Sequence, residues 1–296
     1  MLEKFSRRKF LKSALFSAST PALLSVCGGP GEDKQNVKGE LHLGLVTYNL
    51  ARDWDIDTII KNCTETKFEG VELRTTHAHK VEVELNSARR KEVRKKFEDS
   101  PVKLLSLGSA FEYHSDEPAV VRKNIEGTKE YTILARDVGA IGVKVRPNGL
   151  MVKNGIPEEK TLEQIGISLK EVGEFAKDYG IEIRLEVHGR DTSRIPRIKK
   201  IMDYADCDNV FVCWNSNATD LLDEGLEANF NLVKSKIHFI HMTELWNEEY
   251  PYRKLFQLLI NSGYNGYCCA EISASTEPIR LMRYYRALFL AYQNLL

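Results

Sequence analysis

Between residues 41 and 294 the chain switches eight times from a short apolar run to a longer helical segment. Strand character is predicted at 41–48, 70–74, 102–109, 142–146, 181–188, 210–214, 237–242 and 267–272. Helices are predicted at 55–68, 86–98, 117–138, 161–179, 195–204, 226–236, 252–262 and from Pro278 to about residue 294. Strands that alternate with helices argue for parallel pairing, because each crossover helix returns the chain to the same edge of the sheet. Eight such units in about 255 residues match a closed (β/α)8 TIM barrel, typically ~250 residues long. An open doubly wound sheet is the alternative, but it usually carries a Gly-rich first turn, and residues 43–50 have none. No linker interrupts the body, so 40–296 reads as one domain. Pro147 stops the fourth strand, Gly180 is the expected C-cap of the fourth helix, and Asp55 or Asp57 the expected N-cap of the first.

The strands have two unlike faces. In residues 181–188, Ile181, Ile183, Leu185 and Val187 share one parity, and Glu182, Arg184, Glu186 and His188 the other. Alternate side chains of a strand point to opposite sides, so one face is apolar and the other a column of ionisable groups. A lone surface strand has the same look, but the pattern recurs in Glu72 and Arg74 on strand two and in Lys144 and Arg146 on strand four. In a barrel the polar column faces the axis. Glu182 and Arg184 then belong to an internal ion network. Glu186 and His188 reach the C-terminal mouth, where barrel active sites lie.

The N-terminus needs a separate account. Residues 6–12, SRRKFLK, form a twin-arginine pattern, and the apolar stretch 13–26 behind it is too short to span a membrane. Residues 1–26 are expected to be a twin-arginine signal peptide and 27–39 a flexible tether. Residues 24–28, LSVCG, resemble a lipoprotein processing box with Cys27 as the lipidated residue, which anchors a protein without spanning. Export to the periplasm, or to a membrane-anchored lipoprotein there, is the expected location. Removing 1–26 leaves 37 basic against 41 acidic residues, a formal charge of −4, so the body has no electrostatic case for nucleic acid. Cys63, Cys207, Cys213, Cys268 and Cys269 form no CxxC and read as small core residues.

The last four strands end in metal-ligand residue types: Glu186 with His188 two on, Asn215 in CWNSN, His241 in HFIHMTE, and Glu271 in CAEIS. Glu186, Asn215, His241 and Glu271 can converge and hold a divalent cation. This hard oxygen and nitrogen set suits Mn²⁺ or Mg²⁺ first, with Zn²⁺ or Co²⁺ also accommodated. As a set, these motifs and the GVEL of strand two resemble the xylose-isomerase-like TIM barrels, the sugar phosphate isomerase/epimerase superfamily, over residues 40–296. The resemblance implies a metal held by those four residues, with Glu186 and Glu271 moving protons beside a carbonyl. His188 and Lys144 are expected to hydrogen-bond the substrate or its oxyanion. Trp214, Trp246 and Tyr113 are expected walls for a sugar, beside Asn217, and Arg253 lies in a candidate substrate loop at 247–253.

The chain departs from the family pattern at several positions. Asn215 stands where Asp is usual, so the site loses one negative charge. Ala218 replaces a frequent His, Glu244 an Asp, and Thr192 and Asn247 the Glu and Arg of the ketose epimerases. Related abasic-site endonucleases use more His and Asp ligands, for which only His79 and His114 could substitute. The expected function is a metal-dependent isomerase or epimerase of a sugar or polyol derivative. The alternatives are a keto-sugar or glycoside lyase or hydrolase using the same enolisation, and a non-catalytic carbohydrate-binding barrel. The expected partner is a small carbohydrate.

Overall fold

In the computed structural model the described residues are 38–296; the stretch expected to be a signal peptide, Cys27 and nearly all of the expected tether lie outside them. Eight parallel strands close into a barrel in sequence order. They are β1 (Leu41–Val46), β2 (Gly70–Arg74), β3 (Lys103–Glu112), β4 (Gly142–Arg146), β5 (Glu182–Glu186), β6 (Val210–Asn215), β7 (Ile237–Met242) and β8 (Gly266–Ala270). β8 pairs with β1, Leu43 opposite Cys268, so no edge is left open. Each strand is followed by a helix: α1 (Ile56–Thr66), α2 (Ser87–Glu98), α3 (Pro118–Val138), α4 (Glu158–Lys177), α5 (Ile195–Ala205), α6 (Leu226–Val233), α7 (Tyr252–Asn261) and α8 (Pro278–Tyr292). Gly39, assigned to the tether, is already tied to the body by its N–H on the Ile260 carbonyl at 2.8 Å.

Local chemistry sets most boundaries. The Asp55 side chain caps α1 by accepting from the Thr58 N–H at 2.8 Å. Pro278 opens α8, where its missing N–H costs nothing. α4 begins three residues earlier than expected, because Pro157 and the acidic first turn of Glu158 and Glu159 suit a helix N-terminus. Its C-cap is Asp178, and Gly180 makes the left-handed step two residues later, at φ 67°. β3 runs three residues past its expected end because it re-pairs with β4, Glu112 opposite Arg146, after an irregularity beyond Gly108.

The apolar residues divide into two clusters. The large one fills the layer between sheet and helices. A small one, Val46, Leu105, Cys213, Phe239 and Cys269, lies inside the barrel. Below it Arg184 is buried, with its guanidinium on Glu182 at 2.7 Å, on the Leu105 carbonyl at 3.2 Å and over the Phe239 ring. Gly142 makes room for it, since a Cβ there would meet the guanidinium at 2.8 Å. This ion network closes the N-terminal end, as the polar column predicted. The five cysteines of the body are free thiols. Among the described residues no helix is long and apolar enough to cross a membrane.

Candidate metal centre

Above the inner apolar cluster the axis carries only polar groups. Glu72, Lys144, Glu186, Asn215 and His241 are all buried, and Glu271 follows β8 by one residue. Its N–H on the Met242 carbonyl at 2.8 Å continues the pairing with β7. Donor atoms of Glu186, His241 and Glu271 lie within 4.8 Å of one another. His241 Nδ1 stands 3.3 Å from Glu186 Oε1 and 3.7 Å from Glu271 Oε2. The Asn215 amide nitrogen donates to Glu186 Oε1 at 3.3 Å, and its oxygen accepts no hydrogen bond among the described residues. Lys144 Nζ donates to Glu186 Oε2 at 2.7 Å.

Behind the imidazole lies a further carboxylate. His241 Nε2 is 3.2 Å from Glu72 Oε1, both side chains being fully buried. Neither Glu72 oxygen makes a well-formed hydrogen bond. Space for that carboxylate comes from Gly108, where a Cβ would stand 2.7 Å from Oε1.

The charges set the protonation preferences. Burial works to raise the Glu186 carboxyl, but Lys144 and the His241 ring outweigh it and hold it well below the usual range. Burial dominates at Glu271, whose carboxyl is raised despite His241. Burial also opposes charge on His241, but the Cys213 sulfur and the carboxylates of Glu72 and Glu271 hold its pKa well above the ordinary value. Burial lowers the pKa of His188. Two carboxylates at one site with opposite shifts have distinct proton-transfer roles open to them.

These residues fit a divalent cation. Three carboxylates (Glu72, Glu186 and Glu271) against the single Lys144 ammonium leave a formal charge of −2 when the imidazole is neutral. Without a metal, the proton drawn onto His241 supplies part of the missing positive charge. A buried carboxylate behind the distal nitrogen of a ligating imidazole is the usual outer partner of a metal-bound histidine.

Other expected site residues are placed differently. Trp214 faces the helix layer, not the axis: it is fully buried against Phe230, and its indole N–H donates to the Tyr250 hydroxyl at 3.1 Å. Strand alternation requires this once Asn215 points inward. Tyr113 is likewise buried, with its hydroxyl on Thr128. Arg253 sits on α7 with its guanidinium over the Tyr292 ring of α8. Trp246 is 67% exposed in the loop after β7. Asn217 ties the loops after β5 and β6 together, its amide N–H donating to the Val187 carbonyl at 2.7 Å. His188 stays at the mouth, on the Glu186 face. His79 is used locally, with Nε2 on the Arg74 carbonyl and Nδ1 accepting the Val81 N–H. Thr192 is buried with its hydroxyl on the His188 carbonyl, and Asn247 accepts the Glu249 N–H within its own turn.

Sequence reasoning saw Glu72 as an inward group but gave it no partner. It missed Glu112 and Asn148, for which the Pro-Asn-Gly turn at 147–149 was the available signal.

A model of the xylose isomerase-like TIM barrel family matches residues 60–288. Among solved structures the chain is similar to an L-ribulose 3-epimerase, with a TM-score of 0.72 and 17% identity over 86% of this chain and 95% of that one. It is similar to the 3-keto-D-glucoside 4-epimerase YcjR from E. coli, with a TM-score of 0.70 and 13% identity over 86% and 100%. It is also similar to the IOLI protein with a binding zinc atom, at 0.68 and 15% over 85% and 97%. At these identities the likeness is one of fold. No curated protein matches the chain.

Proposed function

Because the chain belongs to the xylose isomerase-like TIM barrel family, we propose that it is an enzyme that moves a proton beside the carbonyl of a sugar derivative at a divalent metal centre. The carrying observation is the convergence of Glu186, His241 and Glu271 at the C-terminal mouth. Asn215 would complete the set by turning its amide oxygen inward, and Mn²⁺ or Mg²⁺ best suits these donors. The bound cation would supply Lewis-acid stabilisation of the charge that develops on the carbonyl oxygen. Glu271 has the raised carboxyl and is more open to the mouth, so it is the proton carrier in this reading. Glu186 is held as an anion by Lys144 and serves as the ligand and the second proton-transfer group. That ion pair takes one of the three N–H donors of Lys144. The similar epimerases named above support a sugar as the substrate class.

The positions where ketose epimerases carry Glu and Arg are here Thr192 and Asn247, both occupied by internal contacts. That favours a reaction other than ketose 3-epimerisation. Elimination from a keto-sugar or glycoside, started by the same proton abstraction, is the second reading. The twin-arginine stretch and Cys27, both outside the described residues, support an exported and lipid-anchored enzyme acting on unphosphorylated sugars.

The test is solvent deuterium wash-in, with Mn²⁺-loaded protein and a panel of free and keto-sugars. The expected outcome is metal-dependent exchange at one C–H, lost in Glu271→Gln. Equal exchange by wild type and the variant would remove Glu271 from its role. Failure to bind Mn²⁺ at saturating concentration would count against the enzyme reading as a whole.

A further inference from the structure

Histidine 188 is held by a relay that begins outside the metal centre. β4 ends at Arg146, and the next residues are Pro147 and Asn148, the latter with a left-handed backbone at φ 62°. The Asn148 amide nitrogen donates to Glu112 Oε1 at 2.7 Å, and Arg146 donates to the same oxygen at 2.6 Å. A carboxylate only accepts, so the orientation of the amide is fixed: nitrogen toward Glu112, oxygen away. That oxygen stands 2.7 Å from His188 Nδ1. Nδ1 must therefore carry a proton, and a ring with a single proton leaves Nε2 bare. Nε2 has no hydrogen-bond partner among the described residues, and the side chain is half-buried. His188 lies two residues beyond Glu186, just past the end of β5.

The surroundings hold this arrangement still. Thr192 donates to the His188 carbonyl at 2.7 Å. Gly189 has φ 94°, and a Cβ there would meet the Asn148 carbonyl oxygen at 2.7 Å, so the loops after β4 and β5 are in direct contact. The relay also occupies the nearby charges, Arg146 by Glu112 and Lys144 by Glu186. In the singly protonated ring, the nitrogen left facing the mouth carries a lone pair.

We propose that Glu112 and Asn148 are positioning residues that fix the tautomer of His188, so that Nε2 accepts a hydrogen bond from a hydroxyl of an uncharged sugar. This deepens the function proposed above and rests on it for the substrate. It also reverses the expected role of His188 as a donor to an oxyanion. A hydroxyl brings the proton that a bare nitrogen needs, whereas a phosphate or carboxylate oxygen would meet it lone pair to lone pair.

Histidine nitrogen NMR on the full chain tests the relay without any substrate. The His188 signals would be assigned by their loss in His188→Gln, and spectra recorded metal-free and with Mg²⁺. Wild type is expected to show Nδ1 protonated and Nε2 bare. Asn148→Gly keeps the left-handed backbone and removes the amide, so the ring is expected to become a mixture of tautomers. Glu112→Gln offers a donor of its own, which lets the Asn148 amide turn over and move the proton to Nε2. An Nε2–H ring in wild type, or an unchanged tautomer in Asn148→Gly, would overturn the proposal. With the sugar that gives the fastest deuterium exchange, Asn148→Gly is expected to lose about tenfold in kcat/KM, the worth of one hydrogen bond. Mn²⁺ affinity should be unchanged in that variant. A changed tautomer with unchanged kcat/KM would reject the substrate contact. Absence of any exchange in wild type would instead reject the enzyme reading, while the spectra would still decide the relay.

Discussion

Glu72 is the residue whose role is most out of proportion to its visibility in the chain. It reaches no solvent, and its nearest polar contact is the far nitrogen of His241. A carboxylate there would make the imidazole a better ligand for a cation, by leaving Nδ1 free to bind it and drawing positive charge onto the ring. This offsets part of what Asn215 gives up by not being an aspartate. Glu72→Gln should weaken Mn²⁺ binding by about 10- to 100-fold, read by titration calorimetry. An affinity equal to wild type would leave Glu72 as filling for the space at Gly108. The inward direction of Glu72, Glu186 and His241 could be read from alternation along their strands, because side-chain parity survives wherever the pairing is regular. Trp214 was misplaced by setting that rule aside for the residue next to Asn215. The Glu112–Asn148–His188 relay could not be read at all. It joins the end of β3 to the loops after β4 and β5 through one left-handed residue, and no periodicity spans such a contact.

The strand–helix units were legible because each is bounded by Gly, Pro or a capping side chain, but the ends that depend on pairing were not. β3 extends to Glu112 only because β4 is there to receive it, and that extension puts Glu112 within reach of Asn148. The loops after β6 and β7 are joined in a similar way. Asp220, in the loop after β6, is fully buried and accepts the Tyr250 hydroxyl at 2.7 Å. Its other oxygen has no partner. Burial pushes its pKa up to about 8, against smaller opposing effects from Tyr250 and Asn217. A folded-state pKa above the unfolded one keeps its proton on the folded chain as pH rises. The contribution is whole below the unfolded value near 4 and falls away until about 8, at roughly 1.4 kcal/mol per pH unit between the two. Asp220→Asn mimics the protonated form. Its melting temperature should match wild type at pH 4 and exceed it increasingly up to pH 8, then level off. Parallel melting curves across that range would mean that Asp220 ionises in the folded protein as easily as in the unfolded chain.

At the scale of the whole barrel, the axis is divided between an ion network that closes the N-terminal end and a charge-deficient cluster at the mouth. The lower network is internally balanced, Arg184 against Glu182 with His238 beside it. The upper cluster is not, and an unbalanced buried charge costs several kcal/mol. A divalent cation should therefore act on stability as much as on chemistry, since it binds the folded chain and finds no assembled site in the unfolded one. At a free concentration one hundred times Kd, that linkage is worth about 2.7 kcal/mol. In a domain of this size it corresponds to a rise of roughly 5–10 °C in melting temperature. Mn²⁺ added to metal-stripped protein should produce that rise, and a chelator should reverse it. His241→Gln removes the donor between the two glutamates and should abolish most of the shift. The same rise in His241→Gln would mean that the cation binds elsewhere on an acidic surface. No rise in wild type would mean that Lys144 and the proton on His241 already balance the mouth of the barrel, and that Asn215 marks a site that has given up its metal.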